Sequence, residues 1–321
     1  MKAMQMHCMS CADAINTNKF DVLFANSCQF FFNSFIGRYI TIPNLIYLGE
    51  PNRMMFEAYP TQIWAAPKNF KLFKIFKNKC TASFNRVVIR EEIENYKSYD
   101  KVLVNSFYSN ESILKAYGSG GTVCYLGIDT NLFKVLPNEN RQPIIIGLGT
   151  IMHTKGIETA VQAIGKMQTK KPTLIWIGNG SDATYKEYIT VLAQNLKVEI
   201  KFLEFIDDNA LVLLLNQAMC MLYTSKLEPF GLAPLEANAC GCPVIGVAEG
   251  GIRETIEHEK NGFLVPRDAK QIAFYLDKIF SDSQLQKTLS INAINNIADK
   301  WSAEEGIKNI ENELLAICNK V

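Results

Sequence analysis

The chain has 321 residues, with 33 basic against 32 acidic side chains and a net charge of +1. That length exceeds what one hydrophobic core usually serves, so two domains are expected, and the near-neutral balance excludes a general pull toward nucleic acid or anionic membrane. Nine cysteines, odd in number and scattered among apolar neighbours, do not form the framework of a small secreted domain and read as reduced thiols of a cytoplasmic protein.

In chain order, the first twenty residues read as part of a helix, without the uninterrupted apolar core of a leader segment, and no run of about 18 apolar residues follows anywhere. His7, Cys8 and Cys11 stand there in "HCMSC", a lone CxxC that points to zinc or redox work less than to an incidental arrangement. Short apolar, β-branched runs then alternate with helical-period segments, the pattern of parallel α/β sheets. The runs "DVLFA" (21–25), "NLIYL" (44–48), "KVLVN" (101–105) and "TVCYL" (122–126) predict the strands of a first unit. Between them "KNFKLFKIFKNK" (68–79) puts Lys71, Lys74 and Lys77 on one side of a helix and Leu72, Phe73, Ile75 and Phe76 on the other. Such a stretch can lie on the inner face of a membrane, but a solvated helix with its apolar side on the domain is the favoured reading.

The polar "LPNENRQP" (136–143) is the best linker, giving an N-terminal domain 1–138, a C-terminal domain 139–300 and a closing helix 301–321. In the second domain "PIIIGLG" (143–149), "TLIWIG" (173–178), "VEIKFL" (198–203), "MCMLY" (219–223) and "PVIGV" (243–247) predict strands. Between 157 and 171, Ile157, Val161, Ile164 and Met167 recur every three to four residues, the period of a helix with one buried face. The tail "WSAEEGIKNIENELLAI" (301–317) also reads as a helix.

The stretch "LEPFGLAPLEANACGCP" (227–243) carries two glutamates, Glu228 and Glu236, and no other charge. It runs from a strand end into a helix starting near Gly231, with Pro234 in the first turn and Gly241 and Pro243 at the end. At the C-terminal end of a parallel strand, the N–H groups of Phe230, Gly231 and Leu232 with the helix dipole suit an anion, and the carboxylates suit hydroxyls. A ligand with both phosphate and diols fits, and a nucleotide sugar is one; two surface glutamates at an ordinary helix start are the plain alternative. "GLGTIMHTKG" (147–156) adds Lys155, placed to neutralise a diphosphate. The spacing of G-x-x-x-x-G-K-[ST] and of G-x-G-x-x-G is absent, so ATPase and dinucleotide readings fall away. His153 reads as a solvent-exposed loop residue; Arg253 and Glu254 follow the Gly250-Gly251 turn as weaker candidates, Glu254 as easily a helix cap.

Together these segments resemble glycosyltransferase family 4, the group 1 glycosyltransferases of GT-B fold. "EPFGLAPLEANACGCPVIGVAEGGIRETI" (228–256) is similar to the family's Glu, seven residues, Glu signature; "GLGTIMHTKG", "WIGNGSD" (176–182), "NGFLV" (261–265), "VLVNSFYSNESI", "VCYLGIDTNLF" and "IYLGEPNR" (46–53) add to it. The resemblance implies two Rossmann-like domains facing across a cleft and a retaining, metal-independent transfer from a UDP- or GDP-linked sugar, with no cofactor, to a saccharide or lipid-linked acceptor of a surface polysaccharide. Carried over by position, Glu228 would bind donor-sugar hydroxyls and act with Lys155 in catalysis, while Glu236 would take the ribose. Phe230, Gly231 and Leu232 would hold phosphate, Gly149, Thr150 and Asn179 would line the donor site, and the base would meet Phe205 and Ile206; Glu50 and Arg53 are acceptor-side candidates. Where the family usually has an arginine after Gly149 this chain has Thr150, and where many members have a histidine it has Gly49. The family's first strand and glycine-rich loop have no counterpart before Asp21, so the N-terminal domain is expected to lack at least one βα unit. Two alternatives follow: a non-catalytic nucleotide-sugar-binding remnant, or another GT-B enzyme such as a nucleotide-sugar epimerase.

Overall fold

A computed structural model gives the fold and describes residues 1–28, 30–57 and 71–319, with side chains from residue 81 onward in the helix that begins at Lys71. It divides into two compact units, Met1–Tyr125 with Ile307–Val321, and Leu126–Gly306. Of the basic segment 68–79 only the helical backbone of 71–79 is described; its lysine and apolar faces lie outside the described residues.

The first unit runs α1 (Lys2–Thr17), β1 (Leu23–Asn26), β2 (Asn44–Leu48), α2 (Arg53–Phe56), α3 (Lys71–Tyr96), β3 (Lys101–Val104), α4 (Phe107–Tyr117) and β4 (Thr122–Val123). Its four strands are parallel, in the order β1-β2-β3-β4. β2 is buried at every residue, as its unbroken apolar run requires of a strand covered on both faces. Ile46, Leu48, Val102 and Val104 pack with Tyr96, Tyr99, Ile113 and Tyr117 into one core. The expected strand 122–126 keeps only two residues. Cys124 N still reaches Val104 O at 2.8 Å, but Tyr47 Oη donates to Cys124 O at 2.7 Å and takes the carbonyl a longer ladder would use. Glu92, fully buried on α3, fastens the loop after β1 by accepting from Phe32 N at 2.8 Å and from Asn33 N and Nδ2 at 3.0 Å.

The second unit alternates β5 (Gln142–Leu148), α5 (Ile157–Gly165), β6 (Thr173–Gly178), α6 (Ala183–Asn195), β7 (Ile200–Glu204), α7 (Asp208–Gln217), β8 (Ala218–Tyr223), α8 (Leu232–Ala239), β9 (Val244–Val247), α9 (Ile252–Thr255) and β10 (Gly262–Val265). Then come α10 (Ala269–Ser281), α11 (Ser283–Lys300) and the start of α12 (Ala303–Cys318). The six strands are parallel in the order β10-β9-β8-β5-β6-β7, so the chain reverses direction across the sheet between β5 and β8. Gly147 on β5 makes room for Trp176, whose ring would stand 2.1 Å from any Cβ there, and the indole Nε1 donates to Gly149 O at 2.8 Å. α5 buries Ile157, Val161 and Ile164 completely, each contributing about 1.5–3 kcal/mol. It stops at Gly165, short of the 171 that the apolar period predicts. The Asp277 carboxylate accepts from Gln168 N and Thr169 N at about 3 Å and turns the chain out of the helix, while Met167 stays buried. Asp182 and Asp207 cap α6 and α7, accepting from Tyr185 N at 3.1 Å and Ala210 N at 2.8 Å.

The units part between Tyr125 and Leu126, ahead of the polar 136–143 segment where the sequence places its linker. Side-chain bonds explain the difference. Asn216 Oδ1 accepts from Leu136 N at 2.8 Å, and Arg141 donates to the carbonyls of Leu215, Ala218 and Cys240 at 2.7–3.0 Å, so the polar segment is sewn to the second unit.

Candidate functional site

The carboxyl ends of the central strands in the second unit bring Lys155 and Glu228, two of the predicted site residues, together. After β5 the chain turns at Gly149 (φ +136°) and returns to α5 through a 3-10 turn, His153–Lys155. The Lys155 stem lies over Gly149, whose missing Cβ would stand 3.1 Å from Cδ and Cε. After β8 the loop 224–231 leads to α8. Lys155 Nζ donates to Glu228 Oε2 at 2.7 Å, each side chain being partly exposed, at 20% and 28%. The two candidate catalytic residues, 73 positions apart, therefore form an ion pair at the point where the strand order reverses, the usual ligand crevice of such sheets.

Gly231 caps α8 with φ +93°, and a Cβ there would stand 2.9 Å from Tyr223 Oη. No side chain caps α8 with a hydrogen bond, and the first N–H groups of a helix have no carbonyl one turn behind them. Leu232 is exposed, whereas the Phe230 side chain is buried, its ring centroid 5.7 Å from that of Trp301. Phe230 is thus a core residue. Glu236 lies one turn into α8, where burial first and the Asp208 carboxylate second push its carboxyl up to about 7. Burial, then the Glu228 and Glu236 charges, push the Tyr223 hydroxyl well above its ordinary range.

Asn179 is exposed after β6, and Phe205 and Ile206 follow β7. Phe205 is 74% exposed, in the left-handed region (φ +58°), with its N–H on Gly178 O at 3.1 Å. An aromatic side chain held outward by a rare backbone conformation is a stacking surface, and the cost of that conformation is about 1–3 kcal/mol. Thr150 is half-buried beside Gly149. Glu50 and Arg53 sit in the first unit, where Arg53 Nε donates to Glu57 Oε2 at 2.7 Å and Nη1 stands 3.9 Å from Glu50 Oε2. At Gly49 a Cβ would approach Asn105 Nδ2 to 3.2 Å, and Ser109 Oγ donates to the Gly49 carbonyl at 2.6 Å.

Sequence reasoning missed a second charged cluster. Lys226 Nζ stands 3.0 Å from Glu158 Oε1 and 2.8 Å from His153 Nε2, His153 Nδ1 is 3.2 Å from Glu158 Oε1, and Tyr185 Oη donates to Glu158 Oε2. Burial works to raise the Glu158 carboxyl, but bonds from Tyr185 and Lys226 outweigh it and hold it below its ordinary range. Burial, with the Lys226 and Arg267 charges, pushes His153 below its ordinary range against the pull of Glu158. His153 is therefore a tied residue and not the solvent-exposed one expected. The cluster fastens the Lys155 turn to the Glu228 loop, as Lys226 N also donates to Thr154 O at 2.7 Å. Its one sequence signal is Lys226, two residues before Glu228. Among the described residues no group of three His, Cys, Asp or Glu side chains is placed to hold a metal ion.

The profile of "Glycosyl transferases group 1" matches residues 129–296, slightly more than half of the chain. The chain belongs to the group 1 glycosyltransferases. This family member is 31% identical over 167 residues to an uncharacterized glycosyltransferase of Methanocaldococcus jannaschii, covering 51% of this chain and 42% of that protein. It is 25% identical to alpha-1,3/1,6-mannosyltransferase ALG2 of Mus musculus, over 71% of this chain and 61% of the relative. The chain thus spans roughly half of the length of the curated relatives it matches. Among solved structures, sucrose-phosphate synthase from Thermosynechococcus elongatus aligns with TM-score 0.74 at 22% identity, covering 98% of this chain and 79% of that one. HepE of Anabaena, solved in complex with UDP and glucose, aligns with TM-score 0.73 at 20% identity, covering 96% of this chain and 81% of that one. These likenesses carry the fold of the group 1 member, an α/β protein of GT-B type with parallel sheets.

Proposed function

We propose that the chain moves a sugar from a nucleotide-diphosphate sugar to a hydroxyl of a saccharide or lipid-linked acceptor, with retention and without a metal ion. The observation that carries this reading is the convergence of Lys155, Glu228 and the N-terminus of α8 at the carboxyl ends of β5 and β8. In the transfer the bond between the anomeric carbon and the diphosphate oxygen breaks while a bond to the acceptor oxygen forms. The acceptor proton passes to the departing phosphate oxygen on the same face. The charge that grows on the diphosphate is met by the Lys155 ammonium and the first-turn N–H groups of α8, fixed in place before the reaction. Glu228 accepts from hydroxyls of the donor sugar, and release of Lys155 from Glu228 toward the phosphates accompanies donor binding. Glu236 accepts from the ribose, and Phe205 offers a face to the base. The complexes of HepE with UDP and with UDP-glucose support a uridine-linked donor, with a guanosine-linked one as the alternative.

Glu228→Ala is expected to lower donor turnover roughly a hundredfold, the upper end of the about 1.5–3 kcal/mol lost with a charged hydrogen bond. Unchanged turnover in a folded variant would remove Glu228 from the mechanism. Calorimetric titration with UDP and GDP selects the nucleotide; saturable binding without sugar transfer would favour the non-catalytic remnant reading, to which Thr150 and Gly49 lend support, and binding of neither nucleotide would count against both.

A further inference from the structure

Arg267, two residues past β10, makes four charge-assisted hydrogen bonds. Nε and Nη2 grip the Glu249 carboxylate in parallel at 2.9 and 2.8 Å, Nη1 donates to Thr224 O at 2.8 Å, and Nη2 donates to Ser225 O at 3.0 Å. A guanidinium has five N–H donors, so one remains for any ligand. The residue is committed to protein contacts.

Those contacts lie on a closed circuit around the Lys155–Glu228 pair. Thr224, whose carbonyl Arg267 holds, donates from Oγ1 to Lys155 O at 3.0 Å. Gly156, the N-cap of α5, packs onto the same place: a Cβ there would meet Thr224 O at 2.2 Å and Arg267 Nη1 at 3.0 Å. On the other side Glu249 leads directly into Gly250 and Gly251, and Gly251 N donates to Glu228 O at 2.9 Å. The circuit closes at Lys155 Nζ and Glu228 Oε2, 2.7 Å apart. Four strand ends, those of β5, β8, β9 and β10, meet in it, and Arg267 touches residues on both arms.

We infer that Arg267, paired with Glu249, is a positioning residue that sets the register of Lys155 against Glu228. This rests on the donor-site reading above for its consequence, and on the hydrogen-bond circuit for its geometry. Planar, two-pronged recognition of a carboxylate with simultaneous capture of two carbonyls needs the guanidinium fork; a lysine keeps the charge and loses the geometry. Misplacing a reacting group by about 1 Å can cost a hundredfold in rate, so loosening this circuit acts on the chemistry without touching the ligand.

The test uses the full chain with Arg267→Lys, Arg267→Gln and Glu249→Gln. Acetylation of lysines by a small anhydride, followed by mass spectrometry, reads the accessibility of the Lys155 amine in the free protein. Lys186, paired with Glu204 at 2.6 Å elsewhere in the same unit, is the internal control. Lys155 modification is expected to rise at least threefold in all three variants, with Lys186 unchanged. An unchanged Lys155, a parallel rise at Lys186, or full rescue by Arg267→Lys would each overturn the proposal.

Calorimetry with UDP-glucose supplies the second arm. Arg267→Gln is expected to weaken binding about tenfold in the unaltered background and less than twofold in a Glu228→Gln background; tenfold in both would show that Arg267 does not act through Glu228. Absence of UDP-glucose and UDP binding by the unaltered chain would count against the uridine-donor reading alone, and the labelling result would still decide the role of Arg267.

Discussion

Glu236→Gln separates stability from function at one carboxyl. The folded chain holds Glu236 at about 7, against an ordinary 4.5, because burial and the Asp208 charge both disfavour its ionised form. A carboxyl raised in the native state contributes stability that is complete below about 4.5 and is lost as the pH climbs through 7. At pH 8 the ionised Glu236 therefore costs the fold up to about 3 kcal/mol, and at pH 5 under about 1 kcal/mol. Glutamine keeps the shape and carries no charge. The variant is expected to melt roughly 6–12 °C higher than the unaltered chain at pH 8, with a much smaller gain at pH 5, by the scaling for a domain of this size. Circular dichroism melts at the two pH values measure it. Equal stabilisation at both, or none at pH 8, would refute the reasoning. The same carboxylate, when it accepts from a ribose, must be ionised in the complex. UDP or GDP affinity should then fall about tenfold from pH 8 to pH 6, and Glu236→Gln should flatten that dependence while weakening binding throughout.

Two further outcomes follow from the same site. Gly250→Ala places a methyl 2.3 Å from Glu228 O at φ +72°, so it is expected to lower stability by about 1–3 kcal/mol and displace the Glu228 loop; a denaturant midpoint equal to that of the unaltered chain would contradict the packing described. Thr150→Arg supplies a second cation beside Gly149 and is expected to tighten UDP binding about tenfold in calorimetry, an unchanged affinity placing the diphosphate elsewhere.

The apolar runs located nine of the ten described strands, most plainly β2, β6, β8 and β9, where burial on both faces leaves an unbroken signature. What the runs did not carry was where each element stops. β4 ends where Tyr47 takes a carbonyl from 77 residues away, and α5 ends where Asp277 offers its carboxylate to a turn 108 residues earlier. Neither partner is visible from local periodicity. In the site, Glu228, Glu236 and Lys155 stood out because charges are rare in their segments. Arg267 and Glu158 did not, and Lys226 only through its place two residues before Glu228, since most of their partners come from other strand ends, and a backbone carbonyl leaves no trace in a sequence. The Lys155–Glu228 ion pair was likewise beyond reach: each residue was readable, their contact was not.

The two described tryptophans lie beside the loops that bear Lys155 and Glu228. Trp176 is buried beneath the turn that bears Lys155, its indole N–H on Gly149 O, and Trp301 stacks at a tilt on Phe230, directly before the cap of α8. Indole emission shifts with the field and polarity around the ring, so movement of either loop when a nucleotide arrives changes the protein's own fluorescence. On the proposed donor reading the two rings are built-in optical reporters of site occupancy, usable without any dye, and Trp176→Phe against Trp301→Phe would assign the signal to one loop or the other.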